Sequence, residues 1–492
     1  MDESSELEAL LRWAAMIGIS DSPSTLAPAS RTSCLGHSLV VSSFPIAGGR
    51  GLAAVRDLRK GEMVLRVPRS ALLTRKSVMG TDEKLSNYIN KYPHLCSTQI
   101  LTLCLLVEVS KGRKSWWYPY LVQLPRNYDT LENFTHFEIQ AFQVEDAKWV
   151  SEKAVSKARS EWKEAVLVMQ EMGLKSQFLS FRSWLWASAT ISSRTLHVPW
   201  DNAGCLCPVG DLFNYAAPKE EYSSDAASLS GHNDTTEMLD VKQPDGLRLT
   251  DGGYEDETTS YCFYAKRSYR KGEQVLLRYG TYTNLELLQH YGFLLDVNPN
   301  DKVFIPLDAD IYTATSWPKD SLYIQPDGSP SFALLCAMRL WATPANHRKA
   351  VRHMVYTGSL LSIENELFIM KWLVKQCQHF LRLMPTTIEE DNLLLALINR
   401  MLDQPSTLDG DEIQSHKELN GFFQANCLAG SAFKSQLPAK AKRSLERLKL
   451  SIGWRLGYKT IILHCISYCK RMSEGLSCQY DSAVSENRSN MR

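Results

Sequence analysis

The stretch YCFYAKRSYRKGEQVLLRYG, residues 261–280, has an earlier counterpart in LAAVRDLRKGEMVLRVP, residues 52–68. In each, an alternating apolar run leads into Arg-Lys-Gly-Glu, and Val-Leu opens a second run. Alternation with a period of two is the pattern of a half-buried strand. Lys-Gly between two such runs predicts a tight turn joining antiparallel strands, with glycine free to take positive φ. No further copy follows, so the phrase is not a solenoid repeat. The reading expects two halves of one β-rich core, held apart in sequence by whatever lies between them.

Residues 38–74 are Val-rich, alternating and punctuated by Gly-Gly and Lys-Gly, which predicts short strands. From about residue 84 to 190 the spacing turns helical. EDAKWVSEKAVSKARSEWKEAVLVMQEM reads as a charged amphipathic helix and QFLSFRSWLWASATISSR as a more apolar one. Strand texture returns at Leu206 and again over 261–279. The intervening 218–260 is acidic, rich in Ser, Asp and Gly and nearly free of aromatics, and is expected to be a mobile excursion. Beyond NPND at 298–301 the apolar residues recur at three- and four-residue spacing to the end.

The 492 residues call for two or three domains. An apolar content of 44% with 22% charged residues is that of a globular protein with sizeable cores. A net charge of +1 gives no support to a nucleic-acid or acidic-membrane partner. The basic stretch 434–450 alternates Lys/Arg with Leu at helical spacing and reads as a solvated helix face. ILTLCLLVEV, 100–109, is too short to span a bilayer and reads as buried helix. Leu7, Leu10, Leu11, Ala14 and Ile17 make the N-terminus a docking helix, with neither a secretory nor an import pattern. A cytoplasmic or nuclear monomer is expected. The twelve cysteines form no paired C-x-x-C clusters, so reduced thiols and no metal site are expected.

Three segments carry candidate chemistry. IAGGRGLAA, 46–54, matches neither dinucleotide nor P-loop spacing, and no helix follows it to hold a pyrophosphate. Its glycines permit close approach of main chain to a ligand, or serve a plain turn. CPVGDLFNYAAP, 207–218, brings Asp211, Asn214 and Tyr215 into one short segment, where such residues are most often turn formers. LLRYGTYTNLELLQHYGFLLDVNPND, 276–301, ends a strand at Tyr279, opens a short helix at Asn284 and closes it with Tyr291-Gly292-Phe293. Tyrosines in such places are usually packing residues.

Taken in order, the glycine segment, Ser193-Arg194, DLFNY, RYG…N and YGF resemble the SET-domain methyltransferases of the Rubisco large-subunit methyltransferase branch. SWWYPYLVQLPRNYDT (115–130) and LRLMPTTIEEDNLLL (381–395) extend the resemblance over most of the chain. It implies an α+β fold with a β-rich SET core split by a helical insert and followed by an all-α substrate-binding domain. The expected bounds are a docking helix 1–28, core halves 29–80 and 191–300, insert 81–190 and helical domain 301–492. The absence of flanking Cys-rich segments resembles the non-histone branch.

The resemblance implies S-adenosylmethionine as cofactor, with main-chain contacts at Arg50, Gly51 and Leu52. It places Arg194 near the cofactor carboxylate and the substrate, where a planar donor fork suits a carboxylate. Asn214 and Tyr215 stand where the family has Asn-His, holding the cofactor's amino group and adenine. Asp211 matches a substrate-contact position, Tyr279 the catalytic tyrosine and Tyr291 a tyrosine of the lysine channel. The implied reaction is methylation of a lysine on a non-histone protein bound through the helical domain. Tyr215 departs from the family histidine and leaves open a non-catalytic interaction module; a different acceptor, such as histidine or a histone lysine, also stays open.

Overall fold

The computed structural model describes residues 3–22, 32–44, 49–215, 251–277, 280–403, 416–428 and 437–489. The expected excursion at 218–260 lies, up to residue 250, outside them, as do Arg278 and Tyr279. The chain divides into two units, Met1–Tyr128 with Lys157–Thr281, and Asp129–Ser156 with Tyr282–Arg492. Part of the 81–190 insert, Asp129–Ser156, thus groups with the second unit, whose later stretch runs from Tyr282.

The first unit holds β1 (Leu39–Phe44), β2 (Gly49–Ala54), β3 (Met63–Pro68), β4 (Thr195–Val198), β5 (Asp201–Leu206), β6 (Asn214–Tyr215), β7 (Gly252–Glu255), β8 (Ser260–Tyr264) and β9 (Leu276–Leu277). They form small sheets: β1–β2, β3–β8–β7 and β4–β5 are antiparallel, and β6–β9 is parallel. Strand structure resumes at Thr195, earlier than the texture at Leu206 suggested. The start of β1 is organised by buried Asp21, whose Oδ2 accepts the N–H groups of Gly36, His37, Ser38 and Leu39 at 2.7–3.0 Å.

Both Arg-Lys-Gly-Glu segments are tight turns. Glu62 N–H donates to Arg59 O at 3.1 Å and Glu273 N–H to Arg270 O at 3.0 Å. Gly61 and Gly272 take φ of +81° and +86°, the left-handed region that glycine enters without steric cost. Each glutamate also turns back to accept the N–H of its own arginine at 3.0 Å.

Neither turn closes a hairpin on itself, which corrects the expected antiparallel pairing within each copy. Leu58 and Tyr269, the residues just before each copy, exchange both backbone hydrogen bonds, at 2.9 and 3.0 Å. Gly61 N–H donates to Ala265 O and Gly272 N–H to Ala54 O, both at 2.7 Å. Ala265 N–H and Ala54 N–H donate in return to Glu62 O and Glu273 O, at 2.8 and 2.9 Å. The pairs Met63↔Tyr264 and Ala53↔Gln274 continue the pattern outward. These backbone contacts mirror one another about the Leu58–Tyr269 pair, and so do the Arg56–Glu62 and Arg267–Glu273 ion pairs. The strand entering each copy pairs with the strand leaving the other, so the two distant segments form one local two-fold unit.

Four helices are labelled in chain order up to β4: α1 (Glu3–Met16), α2 (Ser97–Lys111), α3 (Glu145–Glu171) and α4 (Phe181–Arg194). As its apolar run predicted, α2 is buried along most of its length, from Gln99 to Glu108. The second unit is built on α5 (Asn284–Tyr291), α6 (Phe332–Trp341), α7 (Ile363–Leu383), α8 (Ile388–Asp403) and the long α9 (Ala439–Ser489), which packs along α7 and α8. Leu334, Ile369, Leu373 and Ile462 lie in its core. All twelve cysteines are free, and burial pushes Cys104 and Cys205 up to about 12, leaving them poor nucleophiles. Among the described residues, no helix is long and apolar enough to cross a membrane.

Candidate active site

What looked like a glycine loop is strand β2 from Gly49 onward, with residues 45–48 outside the described set. Gly51 is where close approach is demanded. A Cβ there would stand 2.6 Å from Asn214 Nδ2 and 2.8 Å from Gln274 Nε2. The Arg50 guanidinium donates to Gln123 Oε1 at 2.6 Å and to Gln123 O at 2.9 Å, while Arg50 O accepts Asn214 Nδ2 at 3.5 Å. Leu52 is buried in the core, and its carbonyl accepts Val275 N–H at 2.8 Å.

Arg194 is the last residue of α4, where a cation also complements the helix dipole. Its Nη1 donates to Asp211 Oδ2 at 3.0 Å and to Asp211 O at 3.1 Å. Asp211 is only 3% exposed in its side chain, against 22% for Arg194, and Tyr120 donates to the same Oδ2 at 2.8 Å. Burial works against the Arg194 charge, but Asp211 and then Tyr128 and Tyr120 outweigh it and raise its pKa above the ordinary arginine value. Arg194 Nε has no hydrogen-bond partner among the described residues. Asp211, expected as a substrate contact, sits here as the buried counterion of Arg194.

Asn214 and Tyr215 form β6, paired with Leu276 and Leu277 of β9. Tyr215 is buried, and its hydroxyl donates to Gly280 O at 2.9 Å. The residues flanking 278–279 are therefore both tied to Tyr215, Leu277 through the strand pair and Gly280 through the phenol. Tyr279 itself lies outside the described residues.

Tyr291 belongs to the second unit. It ends α5, with ring centroids 5.6 Å from Tyr282 and 6.2 Å from Phe293. Gly292 caps the helix at φ +79°, and a Cβ there would lie 2.9–3.1 Å from backbone atoms of Asp129 and Thr130, so glycine is required on both counts. Asn284 proves structural. Its side chain bridges Leu295 O and Leu295 N, and both its backbone and side-chain N–H groups donate to Asp301.

The structure thus gathers Arg50, Gly51 and Asn214 into one group and Arg194 with Asp211 into another. Gly210–Leu212 lies against β2, so the two groups adjoin. Tyr120, Gln123 and Gln274 support them and were not singled out. Tyr120 and Gln123 lie within the quoted 115–130 stretch, and Gln274 directly follows the second Arg-Lys-Gly-Glu.

A β core whose halves interlock across a helical insert, followed by a helical unit, is the SET-type methyltransferase fold with its helical appendage. The SET domain model matches residues 49–280 and the Rubisco LSMT substrate-binding model residues 298–418. The chain belongs to the SET-domain family, in its Rubisco LSMT-like branch. It is 53% identical over 481 residues to Protein SET DOMAIN GROUP 40 of Arabidopsis thaliana, covering 96% of this chain and 97% of that one. It is 24% identical over 391 residues to the mouse actin-histidine N-methyltransferase, covering 70% of this chain and 59% of the relative. In structure it resembles the SET domain of LSMT bound to lysine and AdoHcy, with a TM-score of 0.55, 17% identity and coverage of 97% and 93%.

Proposed function

We propose that the chain transfers a methyl group from S-adenosylmethionine to a lysine side chain of a non-histone protein. The observation that carries this is the junction of Gly51, the Arg50 carbonyl and the Asn214 amide beside the Arg194–Asp211 pair. These residues fit the cofactor. Gly51 leaves main chain that only a residue without Cβ permits, and Arg194 keeps an unpaired donor suited to a carboxylate. Arg50, Gly51 and Leu52 would contribute main-chain contacts, Arg194 the carboxylate contact, and Asn214 and Tyr215 the amino and adenine contacts. S-adenosylmethionine supplies an electrophilic methyl on a cationic sulfonium.

The remaining work is positional. A lysine amine has a pKa of about 10.4 in water and must be neutral to attack. Burial in an aromatic channel beside a cation favours the neutral form through desolvation and like-charge repulsion, so proton loss to solvent suffices. Tyr291 keeps the channel role and Tyr279 the alignment of the reacting groups, a matter of orientation more than acid–base chemistry. The Tyr215 phenol holds the Gly280 carbonyl, next in sequence to Tyr279. This gives the departure from histidine a structural use.

Titration calorimetry with S-adenosylmethionine is expected to show micromolar binding. No heat of binding would favour a non-catalytic interaction module. With a methyl-labelled cofactor and cell extract, wild type is expected to label a protein band that Tyr279→Phe labels only faintly, and equal labelling removes Tyr279 from the catalytic role. The band also identifies the substrate. A histidine acceptor is the second reading, favoured by the actin-histidine N-methyltransferase relative. The pH profile separates the two. A lysine acceptor predicts a kcat/KM, which reports the free acceptor, that climbs from pH 7 towards its pKa of about 10.4, whereas histidine, at about 6.5, is already largely neutral and gives a nearly flat profile above 7.

A further inference from the structure

The second unit holds a groove of about 620 Å³, within the roughly 300–1,000 Å³ of typical ligand sites. Val150, Leu294, Val303, Trp454 and Ile461 make its walls apolar. Two glycines of α9, Gly453 and Gly457, one turn apart, also line it. Glycine inside a helix costs about 1 kcal/mol relative to alanine. At Gly453, Leu294 would stand 3.5 Å from a Cβ, but at Gly457 a Cβ would meet nothing within 4 Å. Packing within the chain therefore does not demand Gly457, and its effect is to leave that part of the groove open.

At the rim, Val297 is 84% exposed. It sits on a turn held firmly by the Asn284–Leu295 and Asn284–Asp301 hydrogen bonds and by Asn298 Nδ2 donating to Tyr282 O at 2.9 Å. An apolar side chain held in water beside an apolar groove offers surface that a bound partner would bury. The charge around it is acidic. Asp146, Asp296 and Asp301 line the groove. Burial pushes Asp301 up to about 6, so it remains largely ionised at neutral pH. The basic members are drawn aside, Lys302 over the Tyr323 ring at 4.9 Å and His464 Nδ1 within 3.1 Å of Pro326 O.

We propose that this groove docks a short segment of the protein substrate in which an apolar side chain is flanked by lysine or arginine. The apolar side chain fills the space over Gly457 and packs on Val297 and Trp454, and the basic neighbours meet Asp146, Asp296 and Asp301. The inference rests on the reading that the chain acts on a protein.

The test uses the full chain and short capped peptides carrying Arg-Leu-Phe-Arg or, as control, Asp-Leu-Phe-Asp, with binding read by fluorescence anisotropy. The basic peptide is expected to bind about tenfold or more tighter than the acidic one, a preference that fades with salt. Gly457→Leu, which replaces glycine by a better helix former at an exposed position, is expected to keep its circular dichroism and lose binding by about tenfold. Val297→Ser weakens binding without touching the helix. Equal binding of the two peptides, no binding of either, or unchanged binding by Gly457→Leu overturns the proposal. So does a concentration-dependent dimer abolished by Gly457→Leu, which would make a second copy the occupant. Calorimetry with S-adenosylmethionine keeps the two readings apart. Peptide binding without cofactor binding retains the groove and rejects the methyltransferase, and the reverse result rejects the groove alone.

Discussion

Asp391→Ala is expected to lower the unfolding free energy by about 3–5 kcal/mol, the usual result of removing one partner from a buried ion pair. Asp391 and Arg455 are fully buried and Lys459 is 1% exposed in its side chain. Asp391 Oδ1 accepts Arg455 Nη2 at 2.6 Å and Nε at 3.1 Å, and Oδ2 accepts Lys459 Nζ at 2.6 Å. Without the carboxylate, two cations remain in the core with only Glu418 and neutral oxygens such as Ala141 O and Thr386 O. Burial already lowers the Lys459 pKa even with Asp391 beside it, and the substitution lowers it further. A lysine whose folded pKa is depressed binds fewer protons folded than unfolded, so stability rises with pH. The deficit of the variant should therefore shrink as pH is raised towards the unfolded lysine value of about 10.4. Arg455 stays charged, so the deficit does not vanish. Urea unfolding at several pH values reads both effects, and a loss below about 1 kcal/mol at neutral pH would show that the core relaxes around the cations.

Asp391 also shows where the sequence is readable and where it is not. In IEEDNLLL it looks like one more acid in the first turn of a helix, a place acids favour. Only α9, some sixty residues later, turns it into a core counterion. The β core has the same limit. Alternation at 52–68 and 261–280 reveals strands and turns, because period and glycine are local properties. Which strand pairs with which is not local, and Leu58 paired with Tyr269 where a hairpin was expected. The glycines of 46–54 suggested close approach of main chain to a ligand or a plain turn, and what the structure shows at Gly51 is close approach of the Asn214 and Gln274 side chains, which come from far along the chain. Tyr120 and Gln123 were not legible, because their partners Asp211 and Arg50 lie far along the chain. Helical periodicity in 129–156 tells that one face is buried but not against what, so those residues were assigned to the insert as a whole.

Asp211→Ala is the decisive substitution at the candidate site. It strips Arg194 of its ion-pair partner among the described residues and Tyr120 of its acceptor. The expected loss of stability is about 3 kcal/mol, at the low end for a broken buried pair because the Arg194 side chain keeps 22% exposure and regains some hydration. Loss of S-adenosylmethionine affinity should accompany it, since the guanidinium is then free to leave the position that the cofactor carboxylate needs. The double variant Arg194→Ala/Asp211→Ala separates these effects. Removing the stranded cation should recover part of the stability, giving a coupling energy of about 1–3 kcal/mol in the mutant cycle, while cofactor binding remains lost. If Asp211 instead contacted the substrate directly, Asp211→Ala would leave cofactor affinity intact and weaken only the acceptor step. Calorimetry with the cofactor, run beside urea unfolding of the four proteins in the cycle, distinguishes the two roles. An Asp211→Ala protein that binds S-adenosylmethionine like wild type would mean that Arg194 holds its place without its counterion.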